Sequence, residues 1–374
     1  MGARGRPASG ASPHTFRREA DGRHFLSTAT ARQAGGPGRT AGTDEPGDTC
    51  RRTRAGRRRG RHGWALLIGV LLVAALLAAS LFTGVYDIIH AEDGWEMFGK
   101  TRVPRTIALV LAGAAMAMSG LVMQLLTQNR FVEPTTTGTT EWAGLGLLLT
   151  MFLIPGASVF TRMIGAVIFA FVGTMVFFLF LRRVSLRSSL VVPIIGIMLG
   201  AVVSAVSTFF ALQTDMLQSL TIWFAGNFTS VFEGQWEVLW IVLVVLAIVW
   251  VFADRLTVAG LGEDIATNVG LNYNQIMILG TGLIAVASGV VTVVIGQLPF
   301  LGLIVPNIVS LFRGDDLRSN LPWVVLVGIA VVTVCDLFAR TVIAPFEVPV
   351  SVVLGIVGAV VFVALILRGR KRNG

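Results

Sequence analysis

Apolar runs long enough to cross a lipid bilayer recur along the chain from residue 63 onward, and they constrain the fold more than any motif. The first, Gly63–Tyr86, is 24 residues long without a charged side chain, enough to span about 30 Å of hydrocarbon. A cleaved signal sequence has an apolar core of about 7–15 residues, so this run reads as a retained span. Further runs place spans near 65–86, 104–126, 138–154, 162–181, 190–212, 236–253, 275–296, 300–313, 322–340 and 348–367. Backbone polar groups inside lipid must be satisfied within their own segment, which makes these runs helices. The expectation is an all-α integral membrane protein with about ten transmembrane helices. The eighth is short and contains Pro306, so it is expected to be broken or to start deeper in the membrane.

Composition agrees with lipid as the solvent. Charged residues make up 14% of the chain, against about 25% for a soluble domain whose whole surface faces water. The net charge of +9 suggests nucleic acid only until it is located. Residues 1–61 hold 14 Arg and 5 acidic residues, whereas residues 62–374 hold 16 basic and 16 acidic residues. A neutral body with a basic tail gives no nucleic-acid surface. Residues 1–62 are rich in Gly, Ala, Arg, Thr and Pro and lack an apolar period, so they read as a disordered, Arg-rich cytoplasmic tail. The cluster from Arg51 to Arg61 reads as a topogenic, solvated basic tail, with attraction to anionic lipid headgroups as the alternative. Residues 63–374 form the transmembrane domain.

Orientation follows from Lys and Arg, which are retained on the cytoplasmic side. With the tail inside, the inner ends hold eleven basic residues, Arg130, Arg182, Arg183, Arg187, Arg255, Arg313, Arg318, Arg368, Arg370, Lys371 and Arg372. The outer ends hold five, Lys100, Arg102, Arg105, Arg162 and Arg340. Both termini are therefore expected in the cytoplasm and the chain in the plasma membrane as a multi-pass protein. In the second span, the small residues from Ala112 to Gly120 allow close helix approach, which is what holds helices together in lipid.

Several chemistries find no support. All four histidines precede the main body, and Cys50 and Cys335 share no ligand spacing, so neither a His-ligated metal nor a Ser-His-Asp arrangement is expected within the membrane. No catalytic residue, metal or cofactor is expected. Gly94–Thr101 fits the phosphate-cradling pattern GxxxxGK[ST] letter for letter, but that loop needs a buried strand before it. Here it lies in an outer connection, and chance is the better reading. Mid-membrane ionisable groups are scarce. Glu141 stands near the start of the third span, and Asp336 lies four residues before Arg340, a spacing that permits a local ion pair. Ion-coupled carriers use such groups near the midplane, so the scarcity points to an energy source outside this chain.

Two segments suggest contacts with partners. Arg102-Val103-Pro104-Arg105 sits where an outer connection becomes a helix, with Pro at a first helical position. The two guanidiniums suit either headgroups or bidentate docking of carboxylates. Between the sixth and seventh spans, Gly262, Glu263 and Asp264 read as a helix start and Gly270 as its stop. This short helix would lie on the inner surface and present Ile265, Ala266 and Val269 to lipid or to a cytoplasmic partner.

Arg102-Val103-Pro104-Arg105-Thr106, the Gly113–Gly120 helix, Leu261-Gly262-Glu263-Asp264, Gly302-Leu303-Ile304-Val305-Pro306 and Ala339-Arg340-Thr341 with Glu347-Val348-Pro349 resemble, in that order, the FecCD permeases of ABC importers for ferric siderophores, haem and cobalamin. The resemblance implies a type II ABC importer permease. It would pair with a second permease, identical or different, sit on two ATPase subunits and receive cargo from an extracytoplasmic siderophore-binding protein. By analogy with the vitamin B12 importer it implies that Arg102, Arg105 and Arg340 dock the binding protein. It likewise implies that Gly262, Glu263, Asp264, Ile265, Ala266, Val269 and Gly270 couple to the ATPase. The loop at Ser188 and Ser189 would belong to the cytoplasmic gate, and the fifth span would line the pore. Many members carry Pro-His where this chain has Pro306-Asn307. Gln297–Phe300, Pro306–Ser310 and Gly314–Arg318 are similar to the petrobactin and anguibactin permease branch, as are Gln128–Val132 and Pro134–Thr136. A ferric siderophore is the expected cargo. Haem or cobalamin import is the alternative, and a cation-coupled carrier lies further off.

Overall fold

The computed structural model describes residues 47–83, 94–183, 190–231, 234–314, 316–343 and 345–373. The chain divides into two units, residues 1–56 and 57–374, and the helical bundle belongs to the second. Fourteen α-helices are present among the described residues, and no strand. They are α1 (Gly47–Phe82), α2 (Gly94–Met97), α3 (Val103–Leu126), α4 (Thr139–Leu153), α5 (Val159–Arg183), α6 (Val191–Gln213), α7 (Leu217–Phe224), α8 (Ile241–Val251), α9 (Ala253–Ala259), α10 (Glu263–Asn268), α11 (Tyr273–Val294), α12 (Leu301–Arg313), α13 (Leu317–Thr341) and α14 (Val350–Asn373). A π-turn, Phe98–Arg102, joins α2 to α3, and a 3-10 turn, Glu237–Trp240, precedes α8.

Six helical segments are long and apolar enough to cross a membrane, or seven if the bent pair Glu237–Val251 and Ala253–Ala259 is one span. Three shorter apolar helices, Thr139–Leu153, Leu301–Arg313 and Val350–Ala364, stand at the third, eighth and tenth expected positions. The bent pair turns by 66° where Asp254 and Arg255 end the apolar run of the sixth expected span. Helix α7 was not anticipated, and α1 begins at Gly47, inside the segment that composition assigns to the tail. Residues 1–46, the rest of that tail, lie outside the described residues, as do Ser188 and Ser189. The Gly94–Thr101 motif is helical, with Lys100 paired to Glu96 one turn away, so its backbone is wound into turns and forms no phosphate loop.

Helix α3 is the centre of the bundle and is buried along most of its length. Its small residues set the distances. A Cβ on Gly113 would meet the Ile329 Cα of α13 at 3.0 Å, and one on Gly120 would meet the Gly302 carbonyl oxygen of α12 at 2.0 Å. The close-packing expectation for the second span therefore has a specific address in two backbone-to-backbone crossings.

The short helix α12 shows how a broken backbone is tolerated inside a bundle. Pro306 has no N–H, so the carbonyl four residues back, Gly302, loses its helical donor; the Gln124 Nε2 of α3 donates to it instead at 3.2 Å. Asn307 donates through Nδ2 to the carbonyls of Leu303 and Arg130, both at 2.7 Å. At its N-terminus Phe300 is left-handed, with φ of 62°, a conformation uncommon for a bulky residue. The Glu133 carboxylate holds it there, accepting from the amide of Phe300 at 2.7 Å, that of Leu303 at 3.1 Å and the Thr135 hydroxyl at 2.5 Å. An acid at a helix N-terminus meets unpaired N–H groups and the positive end of the dipole.

Glu133 lies between α3 and α4, with no solvent exposure. Burial pushes its pKa up to about 7, against the lowering effect of the hydrogen bonds from Thr135, Phe300, Leu303 and Gly302. A raised carboxyl pKa means that the folded chain binds this proton more tightly than the unfolded chain. Its contribution to stability is thus fully present below the ordinary carboxylate range and is lost as pH rises through about 7. Glu133→Gln is neutral at every pH, so the melting temperature of the wild type relative to Glu133→Gln should fall between about pH 5 and about pH 8. Thermal denaturation of the two proteins in detergent measures it, and parallel curves would refute the assignment.

Candidate functional site

The charged cluster at one end of the bundle is built from helix ends. The last turn of α1 leaves carbonyls without helical donors, and cations are favoured at such a terminus. Arg102, at the head of α3, donates through Nη1 to the Leu81 carbonyl at 2.9 Å. Arg340, in the last turn of α13, donates to the carbonyls of Thr83 at 2.9 Å and Ser80 at 3.3 Å and to the Ser80 hydroxyl at 2.7 Å. Two guanidiniums from different helices thus close the end of the first span.

Arg105, one turn beyond Arg102, points to acids of its own chain. Its Nη2 lies 2.7 Å from Asp336 Oδ1 and 2.9 Å from Glu347 Oε2, and its Nη1 donates to Glu347 Oε1 at 3.1 Å. Asp336 also pairs with Arg340 at 2.9 Å, the four-residue pairing that the sequence suggested. Asp336 is therefore shared between two arginines with none of its side chain exposed, while Glu347 retains 31%. The Thr229 hydroxyl donates to Glu347 Oε2 at 2.7 Å. Burial pushes the Glu347 carboxyl up, but the hydrogen bond and charge of Arg105, with Thr229 and Arg340, outweigh it and hold the group below the ordinary carboxylate range.

The structure thus brings Arg102, Arg105 and Arg340 to one end, adds Glu347 as a partner that sequence reasoning had not assigned, and extends Asp336 from Arg340 to Arg105. Arg105 and Arg340 are already paired, and Arg340 is buried. Asp336 was legible as an ion-pair partner of Arg340, but its contact with Arg105, 231 residues away, leaves no local signal.

The short helix expected between the sixth and seventh spans exists as α10. Gly262, with φ of 115°, takes a backbone form open to glycine, and Gly270, with φ of 86°, ends the turn. Just past its end, the Leu271 amide donates back to the Ala266 carbonyl at 3.0 Å. Glu263 and Asp264 occupy the first turn and are exposed. Ile265 and Val269 are exposed at 47% and 68%, and Leu261 beside them at 59%. Ala266 departs from expectation. It is fully buried, because in a six-residue helix the face it occupies turns back against the bundle.

Glu141 is half-buried at the head of α4, accepting from Thr140 at 3.1 Å and from Gln297 Nε2 at 3.3 Å. It stands beside Gly200 of α6. The sequence had not identified Glu133 as an interior acid, because its place in a polar connection disguised a loop that folds inward. Among the described residues no group of three His, Cys, Asp or Glu could hold a metal ion.

A family model described as the FecCD transport family matches residues 66–368. The chain belongs to the FecCD transport family. This FecCD protein is 62% identical over 305 residues to the petrobactin import system permease protein FatD of Bacillus anthracis, covering 82% of this chain and 91% of that one. It is 38% identical to the ferric-anguibactin transport system permease protein FatD of Vibrio anguillarum, over 81% of this chain and 98% of that one. With the vitamin B12 import system permease protein BtuC of Citrobacter koseri it shares 32%, over 82% and 95%. A solved structure described as an inward-facing metal-chelate type ABC transporter superposes with a TM-score of 0.70 at 25% identity, covering 82% of this chain and 99% of that one. The FecCD protein is a multi-pass permease of the plasma membrane.

Proposed function

We propose that this chain is the permease subunit of an ABC importer for ferric siderophores of the petrobactin class. The observation that carries the reading is 62% identity, over 82% of the chain, to a petrobactin permease, set against 32% for the cobalamin permease. In this reading the ten helices, including short α4, α12 and the apolar part of α14, all cross the membrane with both termini inside. The chain pairs with a second permease, rests on two ATPase subunits and receives cargo from an extracytoplasmic binding protein. The role is transport without covalent chemistry in this subunit.

The physical mechanism is coupling of two faces through one bundle. Binding-protein docking at the Arg102, Arg105 and Arg340 end and ATPase closure on α10 bias the same two-state arrangement of helices. Exposed Ile265 and Val269 supply the apolar contact that an ATPase groove can grip, with Gly262 and Gly270 fixing the ends of the knob and Glu263 and Asp264 its polar rim. Ala266 supports the helix from behind. The connection at Ser188 and Ser189 leads into α6, the proposed pore-lining helix, and serves as the inner gate.

Uptake of labelled ferric petrobactin by a strain lacking this permease, with and without the chain restored, tests the assignment. Restoration should be selective over cobalamin, and equal or better cobalamin uptake would overturn the cargo. Val269→Asp removes an exposed apolar contact without touching the bundle; a central interface residue contributes about 2 kcal/mol or more, so ATP-driven uptake should fall about thirtyfold. Unchanged uptake with correctly assembled Val269→Asp would remove α10 from the coupling surface.

A further inference from the structure

Two of the three outer arginines already have carboxylates. Arg105 is held by Asp336 and Glu347, and Arg340 by Asp336. An incoming acidic surface therefore reaches Arg105 only by exchange. The two internal acids differ in whether they can be exchanged. Asp336 lies on helix α13, has no exposure and serves both arginines. Displacing it would open the bundle and leave two buried cations facing each other. Glu347 is on the short connection between α13 and α14, is 31% exposed, and is retained by Arg105 and the Thr229 hydroxyl. The connection is otherwise held near Glu347 by the Val348 amide donating to the Ala339 carbonyl at 3.1 Å.

Charge decides the same way. Arg105 already faces two carboxylates, those of Asp336 and Glu347. Adding a carboxylate at Arg105 would crowd three acids onto one guanidinium in a partly desolvated site, whereas replacing Glu347 keeps the number at two. Bidentate pairing with Arg105, now made by both Glu347 oxygens, is the geometry that an external carboxylate would reproduce.

We propose that Glu347 is a built-in stand-in for the partner's carboxylate: it occupies Arg105 in the resting permease and is displaced when the acidic face of the extracytoplasmic binding protein docks. The proposal rests on the docking role of the arginines. It adds a regulatory consequence, because displacement releases the connection between α13 and α14 from Arg105 and so transmits docking to two helices of the bundle.

The test uses the assembled permease–ATPase complex in nanodiscs and the fluorescently labelled soluble part of the importer's own binding protein. Glu347→Gln keeps the side-chain size and removes the competing charge. Losing one charge-assisted contact to Arg105 corresponds to about a tenfold change in affinity, so Glu347→Gln should bind the partner about tenfold more tightly than wild type. Affinity that is unchanged or weaker, while Arg105→Gln loses binding, overturns the exchange and leaves docking intact. Unchanged affinity in both Arg102→Gln and Arg105→Gln overturns the docking reading itself. Hydrogen exchange on the wild-type complex supplies a readout independent of any variant. Adding the binding protein should raise exchange at the Val348 amide, and protection that stays the same or increases would count against displacement.

Discussion

Replacing Asp336 by Asn should destabilise the permease more than any other single change in its charged cluster. The substitution keeps the shape of the side chain but removes the one fully buried charge that serves both Arg105 and Arg340. Glu347 alone then faces two arginines, and it reaches only Arg105. Breaking a buried pair by removing one partner costs about 3–5 kcal/mol, because the remaining charge is left desolvated without compensation. The expected result is a much lower melting temperature in detergent and poor recovery of protein from membranes. Asp336→Asn combined with Arg340→Gln should recover part of the loss, since the second change removes the uncompensated cation. A single variant that melts within a degree or two of wild type would show that Arg340 is satisfied by Ser80 and Thr83 without Asp336.

Gly120→Ala should be comparably severe for a steric reason. The added methyl would stand 2.0 Å from the Gly302 oxygen, 2.3 Å from its Cα and 2.4 Å from its carbonyl carbon. These are backbone atoms, so no rotamer change relieves the clash and α3 and α12 must separate. Overpacking costs about 1–3 kcal/mol where side chains can move. A backbone collision at a crossing already stapled by Gln124 and Glu133 belongs at or above the top of that range. Transport should be lost, and the amount of folded protein should drop. Gly355→Ala, which has open space around it, is the control and should behave as wild type. Normal transport by Gly120→Ala would mean that α12 can move away from α3 without consequence.

Both predictions turn on features whose existence was legible in the sequence but whose partners were not. The small-residue run of α3 announced close packing, yet which of its glycines faces Gly302 and which faces Ile329 depends on helix rotation and crossing, which no local pattern encodes. The Asp336–Arg340 pair was readable because four residues make one helical turn. The third member, Arg105, comes from the other end of the chain. In α10, Gly262 and Gly270 marked the boundaries through their backbone freedom, and the exposed Ile265 and Val269 followed from the expected surface position. Ala266 was misplaced because a six-residue helix has a buried face that only its seat on the bundle defines. Glu133 escaped notice since a polar loop entering the interior resembles one facing water.

What the sequence by itself determined is the solvent and the element type. Long uncharged runs require lipid, lipid requires internally bonded helices, and the ordered motif blocks place the chain in its family. Tertiary structure alone decided which charges neutralise which, how the Pro306 break in α12 is repaired by Gln124, and which acid is sealed and which is partly exposed. The reason is physical. A hydrophobic run acts through the sum of its residues and is visible as composition, whereas an ion pair or a backbone crossing acts over about 3 Å between segments, and that distance is set only when the helices have packed.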